Sequence, residues 1–338
     1  MFALIVALLT SLVTTYLLTP IIAKFLNRVG IVSLDMNKRD RPRLPSSGGI
    51  CIAVGVLAGI LVYTGLQTFV YGNYTLSLYL LTSVSSIVIV TFSGVLDDLN
   101  VKSKPVTTKD GKNIKVGLPQ WLKPLLVLPA AIPLMVINVG ETTLGIPLIG
   151  DINFGILYPL LIVPLGVIGA SNMVNMLGGF NGVEAGMGLV YTLGLGIHAL
   201  GQGSELAAVI FFTAFASLLP FLKYNWYPAK ILPGDSLTYL LGVIVAAGVI
   251  IGNMERVGII VMTPFIIQGL LKFYSKLRLG EFASDLGDLQ NDGTVKPKYN
   301  KIYSLTHIIM RMGDFKESQV TLILILVQAL FTALPFII

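Results

Sequence analysis

Asp97 and Asp98 stand side by side where an uncharged apolar run, residues 76–96, comes to an end. A carboxylate at the bilayer centre costs roughly 3 kcal/mol on insertion scales, so a pair at the end of such a run indicates a use for concentrated negative charge. A divalent cation is the first ligand to consider. Asn172 and Asn175, three apart, project from one face of a helix, and amide oxygens with carboxylates make the hard-oxygen set that suits Mg²⁺. Histidine and thiol metals are disfavoured. Asp235 follows Pro233-Gly234 and opens another apolar run, where it fits an N-cap as well as a ligand. The stretch Gly178-Gly179-Phe180-Asn181-Gly182 can bring main-chain groups close to a ligand, or simply turn the chain between two helices. It is no dinucleotide fingerprint, because no strand-turn-helix unit surrounds it.

The elements that must position these groups cross a membrane. With 54% hydrophobic and 12% charged residues, the 338-residue chain lies far from soluble domains, in which about a quarter of residues are charged. Its mean hydropathy is +0.83. Ten apolar stretches are legible: residues 2–23, 49–66, 76–96, 122–139, 154–177, 183–200, 206–222, 231–251, 257–271 and 320–338. The first reads as a retained span, since no small-residue cleavage site follows it. The single cysteine, Cys51, sits inside a span and reads as a small buried apolar side chain.

Of the 23 Lys and Arg residues, all but Arg256 fall in alternate connections, the loops 24–48, 97–121, 223–230 and 272–318, counting Lys123 at the edge of the second. That asymmetry is the positive-inside pattern and puts these loops in the cytoplasm, with both termini outside. The net charge of +6 then follows from topology and the anionic inner leaflet, and calls for no nucleic acid. The chemistry-bearing residues share this side. The expected fold is therefore all-α: one polytopic bundle over residues 1–338, about ten transmembrane helices, with an active site at the cytoplasmic face.

The strings Asp97-Asp98-Leu99-Asn100, residues 172–186 (NMVNMLGGFNGVEAG) and residues 225–236 (NWYPAKILPGDS) resemble the motifs of the polyprenyl-phosphate N-acetylhexosamine-1-phosphate transferases, in that family's order and on one side of the membrane. Asn-Trp-Tyr-Pro followed by Gly-Asp is more similar to the eukaryotic dolichyl-phosphate branch than to the bacterial peptidoglycan branch, and the compact chain resembles an archaeal form. The resemblance implies transfer of GlcNAc-1-phosphate from UDP-GlcNAc to a polyprenyl or dolichyl phosphate, releasing UMP. Mg²⁺ is the implied cofactor, with Mn²⁺ able to substitute because it too favours oxygen ligands. The implied setting is an archaeal plasma membrane. A homodimer is compatible with the chain.

By resemblance, Asn175 and Asp235 match the positions that hold the metal, Asp97 and Asp98 the catalytic aspartate pair, and Asn181 the position that reads uracil. Asn100 and Asn172 match polar positions around nucleotide and sugar, and Lys123 a lysine near the phosphates. On its own, Lys123 reads as an ordinary interfacial lysine with a snorkelling stem. Ser46 falls where relatives place a nucleotide-side residue of another type.

The last cytoplasmic loop departs from the family pattern, which has a histidine- or arginine-rich motif there. This chain offers Lys276 and Arg278, then His307 and Arg311 at i, i+4. These four are expected either to contact the diphosphate-sugar or, in the case of the His307–Arg311 segment, to form an amphipathic surface helix. Two rival functions stay open: the same reaction with another UDP-N-acetylhexosamine, and an ion-coupled secondary transporter. A transporter needs charges within its spans and access from both sides.

Overall fold

In lipid an unpaired backbone N–H or C=O costs several kcal/mol, so apolar runs of this length fold as helices that satisfy their own main chain. A computed structural model describes residues 1–99, 106–107, 113–114, 118–138, 140–146 and 150–337. The long helices are α1 (Phe2–Arg28), α2 (Gly49–Phe69), α3 (Thr75–Leu99), α6 (Val163–Asn175), α7 (Val183–Gly201), α8 (Glu205–Asn225), α9 (Gly234–Gly252), α11 (Thr263–Leu279) and α13 (Glu317–Ala333). Short α4 (Leu122–Val127) and α5 (Ile132–Val136) follow α3, while α10 (Glu255–Val261) precedes α11 and α12 (Leu305–Met312) precedes α13. Among the described residues, the only strands form two-stranded antiparallel hairpins: β1 (Val32–Leu34) with β2 (Arg43–Pro45), β3 (Val106–Thr107) with β4 (Asn113–Ile114), β5 (Thr143–Ile146) with β6 (Gly150–Asn153), and β7 (Gly287–Leu289) with β8 (Val295–Pro297).

Each expected apolar stretch is mainly helical over its described residues, but those residues hold eight helices long and apolar enough to cross a membrane, or nine if a bent pair counts as one span. The two irregular stretches have visible causes. Pro129 and Pro133 interrupt the fourth, leaving α4, a 3-10 turn and α5, together roughly 22 Å against a hydrocarbon core of about 30 Å. The ninth bends by 62° between α10 and α11, at Thr263-Pro264. Gln328 Nε2 donates to the Val261 carbonyl at this break (2.9 Å), supplying a partner where the helix ladder fails.

α9 is the axis of the bundle, 83% buried along its span, with α3, α6 and α8 packed around it. Helix α1 buries a stripe of Ala3, Ala7, Ser11, Thr15 and Thr19, with Leu4 and Leu26 near its two ends, and packs on α2 and α8. Small side chains on that stripe allow the close helix approach that membrane packing relies on. Leu9, Leu17, Ile21 and Phe25 point the other way and are exposed, as a lipid-facing side requires. A cross-helix bond from Ser171 Oγ to the Tyr239 carbonyl (3.2 Å) joins α6 to α9, a type of contact worth on the order of 0.6 kcal/mol in membranes.

The pairing of Lys123 with Asp97 and Asp235 and the Thr238–Asn175 bond bring the end of α3, the start of α4, the end of α6 and the start of α9 together at one end of the bundle, so α3 and α6 run the same way with α4 and α5 returning between them. The hairpin β1–β2 and the segment carrying β7–β8 lie over the same end, where the Arg39 guanidinium donates to the Asn291 carbonyl. At the far end of α7, His198 stacks edge-on against Phe336 at 5.5 Å, which puts the end of the chain opposite this cluster.

Candidate active site

Helix α3 ends on Asp97-Asp98, and adjacent positions on a helix face different neighbours. Asp97, 2% exposed, accepts from the Tyr239 hydroxyl (2.7 Å) and from Lys123 Nζ (2.8 Å) at Oδ2. Lys123 Nζ also lies 2.9 Å from Asp235 Oδ2, so one ammonium ties the end of α3 and the start of α9 to the start of α4. Asp98 turns toward α9. Its Oδ1 accepts the Asp235 N–H (2.7 Å), its Oδ2 accepts the Ser236 N–H (3.2 Å), and the Ser47 hydroxyl donates to Oδ2 as well. Asn175 closes α6 and its Oδ1 accepts from the Thr238 hydroxyl (3.0 Å), three residues along α9 from Asp235.

Asp97, Asp98, Asn175 and Asp235 line a cavity of about 400 Å³. The glycine-rich turn after α6 forms another wall. Asn181 Nδ2 donates to Asp35 Oδ2 (3.2 Å), its Oδ1 accepts the Ala229 N–H (3.0 Å), and its own N–H donates to Glu317 Oε1 (2.8 Å). Glu184 Oε1 accepts the Gly179 N–H (3.1 Å), while its Oε2 is buried with no hydrogen-bond partner among the described residues. Ser46 also lines the cavity.

Two acidic residues in this wall escaped sequence reasoning. Asp35, 3% exposed, pairs with Lys38 (3.2 Å), which also pairs with Glu317. Asp285 pairs with the buried Lys272 (2.6 Å) and accepts from Gln268 Nε2 (2.8 Å). The sole hint was an aspartate in each case standing in a loop otherwise rich in Lys and Arg or in turn residues.

The remaining expected residues are elsewhere. Asn172 shares a helix face with Asn175 but donates to its own helix at Ile168 O (2.8 Å) and does not line the cavity. Asn100 lies outside the described residues. Lys276 sits over the Phe282 ring (5.1 Å) and Arg278 over Tyr274 (5.6 Å), both exposed at the end of α11. Arg311 donates to the Tyr299 carbonyl (2.8 Å).

His307 is fully buried. Its Nδ1 accepts the Tyr303 N–H (3.3 Å), so the proton sits on Nε2, which donates to the Ser284 carbonyl (2.9 Å). Burial pulls its pKa below the usual imidazole range. Contrary to the expectation of substrate contact, none of Lys276, Arg278, His307 and Arg311 lines the cavity. The physical reason is that α12 spends Thr306, His307 and Arg311 on the carbonyls of Asp285, Ser284 and Tyr299, while Lys276 and Arg278 lie over aromatic rings at the exposed end of α11.

Asp35, Asp97, Asp98, Glu184, Asp235 and Asp285 all line the cavity, whereas the cations that touch them are Lys38, Lys123 and Lys272. Negative charge is in excess. The donors are oxygens throughout, and no group of three or more His, Cys, Asp and Glu among the described residues has metal-holding spacing. A closed protein cage, as for structural zinc, does not fit. An oxygen site that offers one or two carboxylates and leaves other positions to waters and substrate phosphates fits Mg²⁺.

The profile of glycosyl transferase family 4 matches residues 76–253. A Saccharolobus solfataricus protein is 33% identical over 99% of this chain and 96% of its own length. The chain belongs to glycosyl transferase family 4. The matched region holds Asp97, Asp98, Asn175, Asn181 and Asp235, which line the cavity, and Lys123, which pairs with two of them; it excludes Lys276, Arg278, His307 and Arg311, which do not line it. The Saccharolobus relative and one from Sulfolobus acidocaldarius, 32% identical over 98% of this chain and 96% of the relative, are provisionally named UDP-N-acetylglucosamine–dolichyl-phosphate N-acetylglucosaminephosphotransferases. A Dictyostelium discoideum family member with the same name is 25% identical over 95% of this chain and 85% of its own. This family 4 protein is a polytopic, all-α integral membrane protein.

Proposed function

We propose that this protein transfers GlcNAc-1-phosphate from UDP-GlcNAc to a dolichyl or other polyprenyl phosphate, releasing UMP and leaving lipid-diphosphate-GlcNAc, at the cytoplasmic face of an archaeal plasma membrane. The observation that carries the reading is Lys123 bridging Asp97 and Asp235 beside an oxygen-lined cavity. The relatives' names supply the substrates. The separation of Lys and Arg between the two sides supports the cytoplasmic orientation.

In this reaction an oxygen of the lipid phosphate forms a bond to the β-phosphorus, and the bond from that phosphorus to the α–β bridging oxygen breaks, with the oxygen leaving on UMP. Nucleophile and electrophile are both anionic, so catalysis consists mainly of screening and alignment. A phosphate monoester already carries negative charge near neutral pH, which removes the need for a strong base. Asp235 and Asn175 would hold Mg²⁺, which supplies charge screening for the diphosphate and the departing UMP. Lys123 offers a cation at the same point, and Asp97 with the Tyr239 hydroxyl holds that cation in place. Asn181 forms part of the nucleotide wall, its amide orientation fixed because Asp35 can only accept and the Ala229 N–H can only donate.

The test is incubation of purified protein with Mg²⁺, a polyprenyl phosphate and a panel of UDP-sugars, scoring UMP. Release with UDP-GlcNAc and lipid together supports the reading. Release with a different UDP-N-acetylhexosamine alone would move the specificity, and no release with any sugar would point to transport or binding.

A further inference from the structure

Resemblance groups Asp97 and Asp98 as one catalytic pair, yet their surroundings differ in kind. Asp97 meets a side-chain cation, Lys123, and a phenol, Tyr239. Asp98 meets fixed donors: the Asp235 N–H, the Ser236 N–H and the Ser47 hydroxyl. The first two are free N–H groups at the start of α9, which no residue of its own chain segment caps by side chain. Asp98 therefore caps α9 from another helix, and the residue whose N–H it takes is Asp235 itself.

The backbone is built for this approach. Gly234, φ +70°, lies so close to Asp98 that a Cβ there would come within 2.5 Å of Asp98 Oδ2. Gly94, one turn before Asp98 on α3, faces the same spot, and a Cβ on it would meet the Ser236 Cα at 2.4 Å. A side chain at Gly94 would push α9 off α3, and one at Gly234 would displace the Asp98 carboxylate and press on the Ser47 backbone. An anion at a helix N-terminus is also favoured by the aligned peptide dipoles, and its effect fades within the first turn, where Asp235 sits.

From these contacts we infer that Asp98 is a positioning residue: it fixes the start of α9 and so sets where the Asp235 carboxylate stands relative to Lys123 and Asn175, without exchanging a proton with substrate. The inference rests on the proposed reading that Asp235 takes part in the chemistry.

Capping and proton transfer respond differently to one substitution. Asparagine caps helices about as well as aspartate but cannot act as a base at neutral pH. In D98N the amide oxygen still accepts the Asp235 N–H, and the amide NH₂ donates to the Ser47 hydroxyl, which turns to accept it; only the longer bond from the Ser236 N–H (3.2 Å) is lost. The experiment compares D98N, D98A and D235N, as full-length protein in detergent, by kcat, KM, the pH profile of kcat and thermal unfolding. D98N is expected to keep kcat within about tenfold of wild type with the acid limb of the profile unmoved, while D98A falls at least a hundredfold. Mn²⁺ binding followed by electron paramagnetic resonance should weaken in D98A and recover in D98N.

Should D98A be too unstable to purify, D98N still decides the matter through its kcat and its acid limb. D98N as inactive as D98A, or an acid limb lost in D98N, would overturn the inference and return Asp98 to proton transfer. A D235N enzyme with wild-type turnover would instead remove Asp235 from the chemistry; the positioning role would fall with it, and this failure is recognised because it alone changes the D235N result.

Discussion

Lys123 Nζ lies 2.8 Å from Asp97 Oδ2, between the second residue of α4 and the third-last residue of α3, and the same nitrogen reaches Asp235 at 2.9 Å. Asp97 is closed to solvent at its side chain and Lys123 nearly so. Removing one partner of a buried pair leaves an uncompensated charge, which typically costs about 3–5 kcal/mol. K123M is therefore expected to lower both turnover, by at least a hundredfold, and thermal stability. The double variant K123M/D97N should recover stability but not turnover. A single K123M variant with wild-type unfolding temperature would show that the ion pair does not hold the site together.

Metal dependence separates the proposed role of Asp235 and Asn175 from a purely structural one. Chelation should abolish turnover, and Mg²⁺ or Mn²⁺ should restore it, since both favour oxygen donors. N175A is expected to raise the Mg²⁺ concentration needed for half-maximal rate by tenfold or more, with KM for UDP-GlcNAc changed much less. Restoration by Zn²⁺ but not Mg²⁺ would contradict the donor set.

His307 is expected to act on stability. Its folded pKa is depressed, so the neutral ring stabilises the fold fully above the ordinary imidazole value of 6.5, and this contribution declines as pH falls below it. Wild type should lose more unfolding temperature between pH 7.5 and pH 5 than H307Q, and turnover in H307Q should follow the folded fraction. A tenfold fall in kcat for H307Q at an unchanged unfolding temperature would return this residue to the substrate site.

Topology is checked by labelling. Cysteine at Gln202 should react with an impermeant reagent from outside the cell, and cysteine at Asn300 only after permeabilisation; both positions are exposed, whereas the native Cys51 is buried and should stay silent. Reversed labelling would overturn the cytoplasmic assignment.

The sequence made part of this site legible because charge is rare in an apolar chain. Asp97, Asn175 and Asp235 end or begin spans, where a polar group costs enough to need a reason, and their common side followed from counting Lys and Arg. The fourth and ninth stretches look like continuous spans in sequence because hydropathy is blind to Pro129, Pro133 and Pro264, whose missing N–H groups break helices without changing apolar character. Asp35 and Asp285 stayed hidden for a different reason. Their loops hold other acidic residues, Asp40, Glu281, Asp288 and Asp292, so nothing in composition distinguishes an aspartate folded back over a cavity from one in water. His307 and Arg311 were correctly spaced to share a face, but i, i+4 spacing says which residues lie together and nothing of what they lie against.

The most direct measurement is the fate of the β-phosphorus. Purified protein is given UDP-GlcNAc labelled at that phosphate, Mg²⁺ and a polyprenyl phosphate, and the lipid and nucleotide products are weighed by mass spectrometry and traced for label. The account predicts label in the lipid, a lipid mass increased by one phospho-GlcNAc unit, and UMP formed in equal amount, all lost in D235N. Label remaining on the nucleotide as UDP, with the lipid gaining GlcNAc alone, would contradict it.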